Sequence, residues 1–261
     1  MIAHPNIDGP LAMYDAIGLA EMDGVSLMNR FDTKYTLGEA DLIEALGDLT
    51  DRYRVLEIDG VRRCAYSTLY FDTPSRDCYR EHHNGKANRR KYRMRSYASS
   101  GKAFFEIKTK TNRGRTVKKR VPIEAIREKL TPQSDALVRR IAGEPVALSP
   151  QLWVSFSRIT LVARDAEERV TLDTDLEFRM GASVERLPGQ VIAEVKQGRQ
   201  SRDSAIREWL REHHVRPLRV SKYCVGSALL DPALKQNNFK SKLRTLQTPP
   251  SAETRSCQNS K

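Results

Sequence analysis

The chain has 261 residues, 39% of them hydrophobic and 30% charged, and its 45 Lys and Arg outnumber 33 Asp and Glu for a formal charge of +12. That is apolar enough to build a core, so wholesale disorder is excluded, and the length suits one large domain or two small ones. No apolar run approaches the roughly 20 residues of a membrane helix, the first nine residues lack a basic-then-apolar leader, and the scattered Cys64, Cys78, Cys224 and Cys257 form neither a C-x-x-C zinc site nor a disulfide scaffold. These features fit a reducing cytoplasm, and the excess positive charge calls for a polyanionic partner.

The first predicted strand spans 29–37, where Arg30, Asp32 and Lys34 share one face. A helix follows over 39–49, with Leu42, Ile43, Leu46 and Leu49 at helical spacing. Residues 65–72 read as a strand with Thr68, Tyr70 and Asp72 on one face, and Pro74 opens a short helix through Tyr79 that Gly85 ends.

The stretch 86–120 then holds fourteen Lys or Arg against the single acid Glu106, a net +13 that leaves the rest of the chain close to neutral. Such a run reads either as a solvated basic arm or as part of a fold, and the order of its residues decides. Lys91, Arg93 and Arg95 alternate with Tyr92 and Met94. Glu106, Lys108 and Lys110 alternate with Phe105 and Ile107. Lys118 and Arg120 lie opposite Val117 and Val121. Three strands with one charged and one apolar face result, same-face residues standing about 6–7 Å apart. A disordered arm would have no reason for this parity.

Pro122 next opens a helix over 123–130, and another covers 134–141. Strands follow over 153–161, with Phe156 and Arg158 on one face, over 169–173, with Arg169, Thr171 and Asp173 on one face, and over 191–196, with Ile192, Glu194 and Lys196 on one face. Ser201 caps a helix over 202–213 and Ser221 caps one over 222–230. From about Lys240 the chain is rich in Ser, Thr, Pro and Lys and is expected to be disordered. The organisation is a lead-in over 1–27, one domain over 28–232 and a tail over 233–261. Eight strands with the same two-faced pattern predict an α+β fold, its charges pointing inward and helices covering the apolar outside.

Glycine-rich phosphate cradles are missing: Gly85-Lys86 and Gly101-Lys102 are each followed by Ala, and no G-x-G-x-x-G, H-E-x-x-H or G-x-S-x-G occurs. The pairs His82-His83 and His213-His214 are expected on the surface, since adjacent helical residues face different directions and make poor joint metal ligands. Phosphate chemistry here must use side-chain cations.

The pieces Arg30-Phe-Asp-Thr-Lys34-Tyr35, Thr68-Leu-Tyr-Phe-Asp72-Thr73, Arg90-Lys-Tyr-Arg93-Met-Arg95, Phe105-Glu106-Ile-Lys108, Val117-Lys118-Lys-Arg120, Ser157-Arg158, Arg169-Val-Thr-Leu-Asp173, Glu194-Val-Lys196 and Ser221-Lys222-Tyr223 run in one order over about residues 28–230. In that order the chain resembles the catalytic domain of the VTC (vacuolar transporter chaperone) polyphosphate polymerases, which belong to the triphosphate tunnel metalloenzymes together with the CYTH phosphatases. The first strand departs from the Glu-x-Glu-x-Lys common in that superfamily. It reads Arg30-x-Asp32-x-Lys34, which is closer to the VTC version and removes a carboxylate from the metal-binding end.

The resemblance implies a closed antiparallel β-barrel tunnel of about eight strands with helices packed outside. It implies metal-dependent transfer of a phosphoryl group from a nucleoside triphosphate, ATP by preference, to a growing inorganic polyphosphate chain. Lys34, Arg93, Arg95, Lys108 and Arg158 would be catalytic, and Lys118, Arg120, Arg169, Lys196, Ser221 and Lys222 would bind substrate. Glu194, with Glu106 and Asp173 beside it, would hold Mn²⁺ or Mg²⁺ through hard oxygen ligands. Each carboxylate has a second reading, as an ion-pair partner that holds tunnel cations in place. A triphosphatase using the same tunnel and a non-catalytic polyanion or nucleic-acid binder stay open as alternatives. Aromatic residues are only 7% and few interleave the basic strands, which argues against recognition by base stacking.

Overall fold

The computed structural model describes residues 6–23, 30–112, 115–198 and 203–248. Its strands are β1 (Ala16–Ile17), β2 (Arg30–Gly38), β3 (Tyr53–Leu56), β4 (Cys64–Asp72), β5 (Arg89–Tyr97), β6 (Lys102–Lys110), β7 (Thr116–Ile123), β8 (Ser149–Ala163), β9 (Glu168–Met180), β10 (Ser183–Leu187) and β11 (Gln190–Gly198). The main path runs β2-β11-β9-β8-β4-β5-β6-β7, and every neighbouring pair on it is antiparallel. These eight strands match the eight expected from alternation, residue 29 of the first lying outside the described residues. The remaining three lie off the path: β10 folds back on β9, and β1 and β3 form a parallel pair beside β8.

Parity fixes which way the sheet faces. In β5, Tyr92 and Met94 are buried on the apolar face, while Arg93 and Arg95 point to the other. No ladder joins the end strands β2 and β7 among the described residues. The charged face nevertheless curls round a shared interior, because Lys108 on β6 lies in the electrostatic field of Glu194 on β11 and Lys34 on β2.

The α-helices among the described residues are α1 (Asp8–Ala12), α2 (Leu19–Asp23), α3 (Glu39–Asp48), α4 (Asp77–His83), α5 (Pro132–Ala142), α6 (Ala205–Glu212), α7 (Lys222–Leu230) and α8 (Lys240–Gln247). Leu42 and Leu46 of α3 and Trp209 and Leu210 of α6 cover Leu37, Leu161, Leu172 and Ala193 on the outer face of one half. Leu137 and Val138 of α5 cover Met94, Phe105 and Ile107 on the outer face of the other. Burying such apolar faces is the main favourable term in folding.

Helix α7 differs by lying on the inner face. Its Tyr223 stacks on Tyr70, ring centroids 5.2 Å apart, and the Tyr70 hydroxyl accepts from Arg93. A β-carbon on Gly226 would sit 2.3 Å from the Phe178 ring and 2.9 Å from Leu152, so glycine is what lets this helix approach the sheet.

Several expectations need correction. Residues 124–130 are not helical, and Pro122 lies within β7. An end strand tolerates a proline because its missing N–H is not needed for a second ladder. The helix expected from Pro74 begins at Asp77, where Asp72 accepts from the Cys78 and Tyr79 amides at 2.9 and 3.0 Å. Ser204, not Ser201, caps α6 by accepting from the Arg207 amide; Ser201 lies outside the described residues.

The tail expected to be disordered is ordered through α8, because Phe239, Leu243 and Leu246 are buried. Residues 249–261 lie outside the described residues. His83 is 4% exposed, far from the expected surface position, and its Nε2 accepts from the Asn238 amide while its carbonyl accepts from the Asn238 side chain. It ties α4 to the segment leading into α8.

Candidate functional site

The register places like charges side by side on the inner face. Lys91 of β5 lies opposite Lys108 of β6, which lies opposite Lys118 of β7. Like charges directly opposite one another destabilise a sheet, so three lysines on neighbouring strands mark a place built for something other than stability. Arg93, Glu106 and Arg120 form the next row, and Arg95 and Phe104 the one after it.

Three carboxylates brace these cations. Nε and Nη2 of Arg93 donate to Oε2 of Glu106 at 2.8 and 2.5 Å, and Lys118 Nζ donates to its Oε1 at 3.2 Å. Arg158 grips both oxygens of Asp173, through Nε at 2.5 Å and Nη2 at 2.8 Å, and Lys222 donates to the same carboxylate. Glu194 accepts from Lys34 across the β2–β11 pair and meets Lys196 Nζ at 3.0 Å. Burial alone would raise all three carboxyls, but the cations outweigh it. Arg93 and Lys118 pull Glu106 down to about 2. Arg158 and Lys222 hold Asp173 below the usual carboxylate range, and Lys196 and Lys34 hold Glu194 well below it. All three are therefore ionised at neutral pH.

Six of the inward cations (Lys34, Arg93, Lys118, Arg158, Lys196 and Lys222) pair with these three carboxylates, whereas Lys91, Arg95 and Lys108 make no ion pair among the described residues. Lys108 makes no hydrogen bond or ion pair among the described residues, and the charge of Arg93, followed by burial, holds it well below the ordinary lysine value. Arg95 is 6% exposed, and its Nε donates to Thr68 Oγ1 at 3.0 Å. Lys91 donates to the Ser221 hydroxyl at 2.7 Å, which places the start of α7 inside the cation row. Burial pushes Lys196 down to about 8 despite Glu194, and burial also lowers Lys91 and Lys222.

Of the residues expected from sequence, Lys34, Arg93, Arg95, Lys108, Lys118, Arg158, Lys196, Ser221, Lys222, Glu106, Asp173 and Glu194 gather around this one interior. Arg120 is exposed, its guanidinium 4.3 Å from the Phe104 ring centre. Arg169 is half-buried and lies opposite Lys196 in the sheet. Sequence reasoning missed Lys91, although it shares the parity of Arg93 and Arg95. It also missed Thr68 and Tyr70 as polar partners of the arginines, and a set of rings. Tyr66 and Phe156 stack at 5.2 Å, Tyr97 packs on Tyr66 edge to face at 5.0 Å, and Tyr97 meets Phe104 at 6.1 Å. The expectation that few rings accompany the basic strands is thus corrected, because each of four strands supplies one.

Among the described residues no group of three or more His, Cys, Asp and Glu comes together, and each carboxylate is engaged by two cations. The described residues therefore bring no three such ligands together. Hard cations such as Mg²⁺ are often held by one or two carboxylates with substrate phosphates supplying the rest, and a single carboxylate such as Glu194 fits that arrangement. No helix among the described residues is long and apolar enough to cross a membrane.

No curated protein matches the sequence. In three dimensions the chain is similar to HpAC1 from Hippeastrum, whose structure is described as revealing a dominant triphosphatase activity, at 16% identity over 76% of this chain and 94% of that chain with a TM-score of 0.49. It is also similar to a Bacillus halodurans protein, bh2851, at 13% identity over 74% of this chain and 96% of that chain with a TM-score of 0.46. The model of the VTC domain family matches residues 29–231. The chain belongs to the VTC domain family.

Proposed function

We propose that this chain is a polyphosphate polymerase that moves the terminal phosphoryl group of a nucleoside triphosphate, ATP in the first instance, onto an inorganic polyphosphate chain. The observation that carries this reading is the row of inward cations, in which Lys108 makes no hydrogen bond or ion pair among the described residues. A phosphate chain carries about one negative charge per unit and no base edges, so its recognition has to be electrostatic and tolerant of length, which fixed cations supply. A terminal oxygen of the acceptor chain attacks the γ-phosphorus and the bond from that phosphorus to the β–γ bridging oxygen breaks. The electron pair stays on the β-phosphate, a nucleoside diphosphate leaves and the chain is one unit longer.

In this reading Lys34, Arg93, Arg95, Lys108 and Arg158 position the transferring group and stabilise its charge, which is most of what phosphoryl transfer asks of a protein. Lys118, Arg120, Arg169, Lys196, Ser221 and Lys222 hold the rest of the phosphates. Bound Mn²⁺ or Mg²⁺ would neutralise phosphate charge, with Glu194 as the favoured protein ligand and Glu106 and Asp173 bracing the cations. Three of the cysteines are buried and free, which supports a cytoplasmic setting.

The test is incubation with ATP and Mn²⁺ followed by gel analysis. Long chains are expected. Orthophosphate alone would mean a triphosphatase, and tight RNA binding without turnover would mean a polyanion binder.

A further inference from the structure

The first turn of α7 sits where charge pushes it away. Lys222 stands in the repulsive field of Arg158 and is offset by Asp173. Ser221 accepts from Lys91, which itself lies opposite Lys108. Something outside the cation row has to hold this turn in the interior.

Tyr223, the next residue, supplies the hold. It is 1% exposed, and its hydroxyl donates to Asp72 Oδ2 at 2.5 Å. Burial and the Asp72 charge push that hydroxyl above the ordinary tyrosine value, so it remains a donor. Asp72 is 0% exposed. Its Oδ1 accepts from the Thr73 and Cys78 amides at 2.8 and 2.9 Å, and its Oδ2 also accepts from the Tyr79 amide at 3.0 Å. These amides fix the carboxyl group to the end of β4 and the first turn of α4. Arg76, left-handed at φ 60° just before α4, hydrogen-bonds the same tyrosine and lies 3.8 Å from Asp231 at the far end of α7. The start of α4 thus grips both ends of α7.

A phenylalanine at position 223 would fill the same space and keep the stack on Tyr70. The hydroxyl therefore adds direction rather than volume. A ring can slide along its neighbour, whereas a short hydrogen bond to an anchored acceptor fixes the end of the ring, and with it the backbone just before it. We propose that Asp72 and Tyr223 are positioning residues for the phosphate site: their hydrogen bond holds the first turn of α7 in the interior, so that Ser221 and Lys222 stay on the cation row. This inference rests on the reading of that row as a phosphate site and adds to it the residues that set its α7 side.

Tyr223→Phe removes the hydroxyl and keeps the ring. Calorimetric titration with inorganic tripolyphosphate, at low salt so that weakened variants still bind measurably, is expected to show affinity roughly 3- to 10-fold below wild type, with an unchanged circular dichroism spectrum. A double-mutant cycle separates positioning from general loosening of the fold. In a chain that carries Ser221→Ala with Lys222→Met, the groups being positioned are gone, and Tyr223→Phe should then weaken tripolyphosphate less than twofold. An equal loss on both backgrounds, or full affinity in Tyr223→Phe alone, overturns the proposal. Asp72→Asn, which keeps one acceptor oxygen, is the second variant and should follow the same pattern. Failure of both variants to fold would make the pair a purely structural one and overturn the proposal as well. A wild-type chain that does not bind tripolyphosphate would instead sink the phosphate-site reading.

Discussion

Replacing Lys108 by Met separates a cation kept for a ligand from one kept for the fold. Met preserves an unbranched stem and removes the charge. Lys108 has no anionic partner in contact, and Arg93 is the main influence on it. The two are diagonal neighbours on adjacent strands, about 7–8 Å apart at that position. Unit charges at that separation repel by roughly 2 kcal/mol at an effective dielectric near 20, and the attraction of Glu194 offsets part of this. Lys108→Met should therefore stabilise the ligand-free protein by about 1–2 kcal/mol, a rise in Tm of about 2–8 °C for a chain of this size.

The same substitution should weaken ligand binding. A hydrogen bond to a charged group contributes about 1.5–3 kcal/mol, so tripolyphosphate should bind at least about tenfold more weakly. At 100 times the wild-type Kd the wild type gains about 2.7 kcal/mol from the ligand, and the variant should gain clearly less. Thermal melts with and without tripolyphosphate read both effects. The sign with pH follows from the depressed lysine. Between the folded and unfolded pKa values the folded state binds fewer protons, so wild-type stability rises with pH through that window and the gap to the variant closes. Lys196 acts in the same direction between about 8 and its ordinary 10.5, and the variant keeps that part. A Lys108→Met chain that is less stable without ligand, or that keeps the full ligand shift, would refute the reasoning.

Glu106→Gln should do the opposite. It leaves Arg93 buried without its counter-charge, which costs about 3–5 kcal/mol and is read as a lower urea midpoint. The wild-type carboxyl sits at about 2 against an ordinary 4.5, so its contribution is complete above 4.5 and disappears as pH falls through about 2; the variant should lack that part of the acid transition. Glu194→Gln should keep the fold by circular dichroism and abolish divalent-metal-dependent turnover, and an unchanged metal dependence would assign the ligand elsewhere.

What could be read from sequence divides along physical lines. Strand parity is local, so the eight main strands and the inward set from Lys34 to Lys222 were legible without knowing which strands pair. Pairing is not local. Tyr66, Tyr97, Phe104 and Phe156 lie on four strands and meet only through register, so no window of sequence contained the cluster. Pro122 carries the same local signal at the first turn of a helix and on an end strand, and its position in the sheet decided between them. The tail from Lys240 is polar in composition, yet Phe239, Leu243 and Leu246 at helical spacing bury one side of α8; composition outweighed periodicity where periodicity was the better guide.

The three carboxylates show how a sheet can carry such an excess of charge. Each joins cations from separate parts of the chain: Glu106 links β5 and β7, Asp173 links β8 and α7, and Glu194 links β2 to its own strand β11. Six cations are thereby held at fixed positions with their charges locally offset. A guanidinium offers five donors, and Arg158 uses only two of its own on Asp173. A bound phosphate could therefore take remaining donors without breaking the brace. Arg95, Lys91 and Lys108 are left with no carboxylate in contact among the described residues, and they lie on the adjacent strands β5 and β6. In the proposed reading the stabilising pairs thus set the geometry, while the cations outside them set the affinity. For this reason charge removal is predicted to have opposite effects on ligand-free stability at Lys108 and at Glu106.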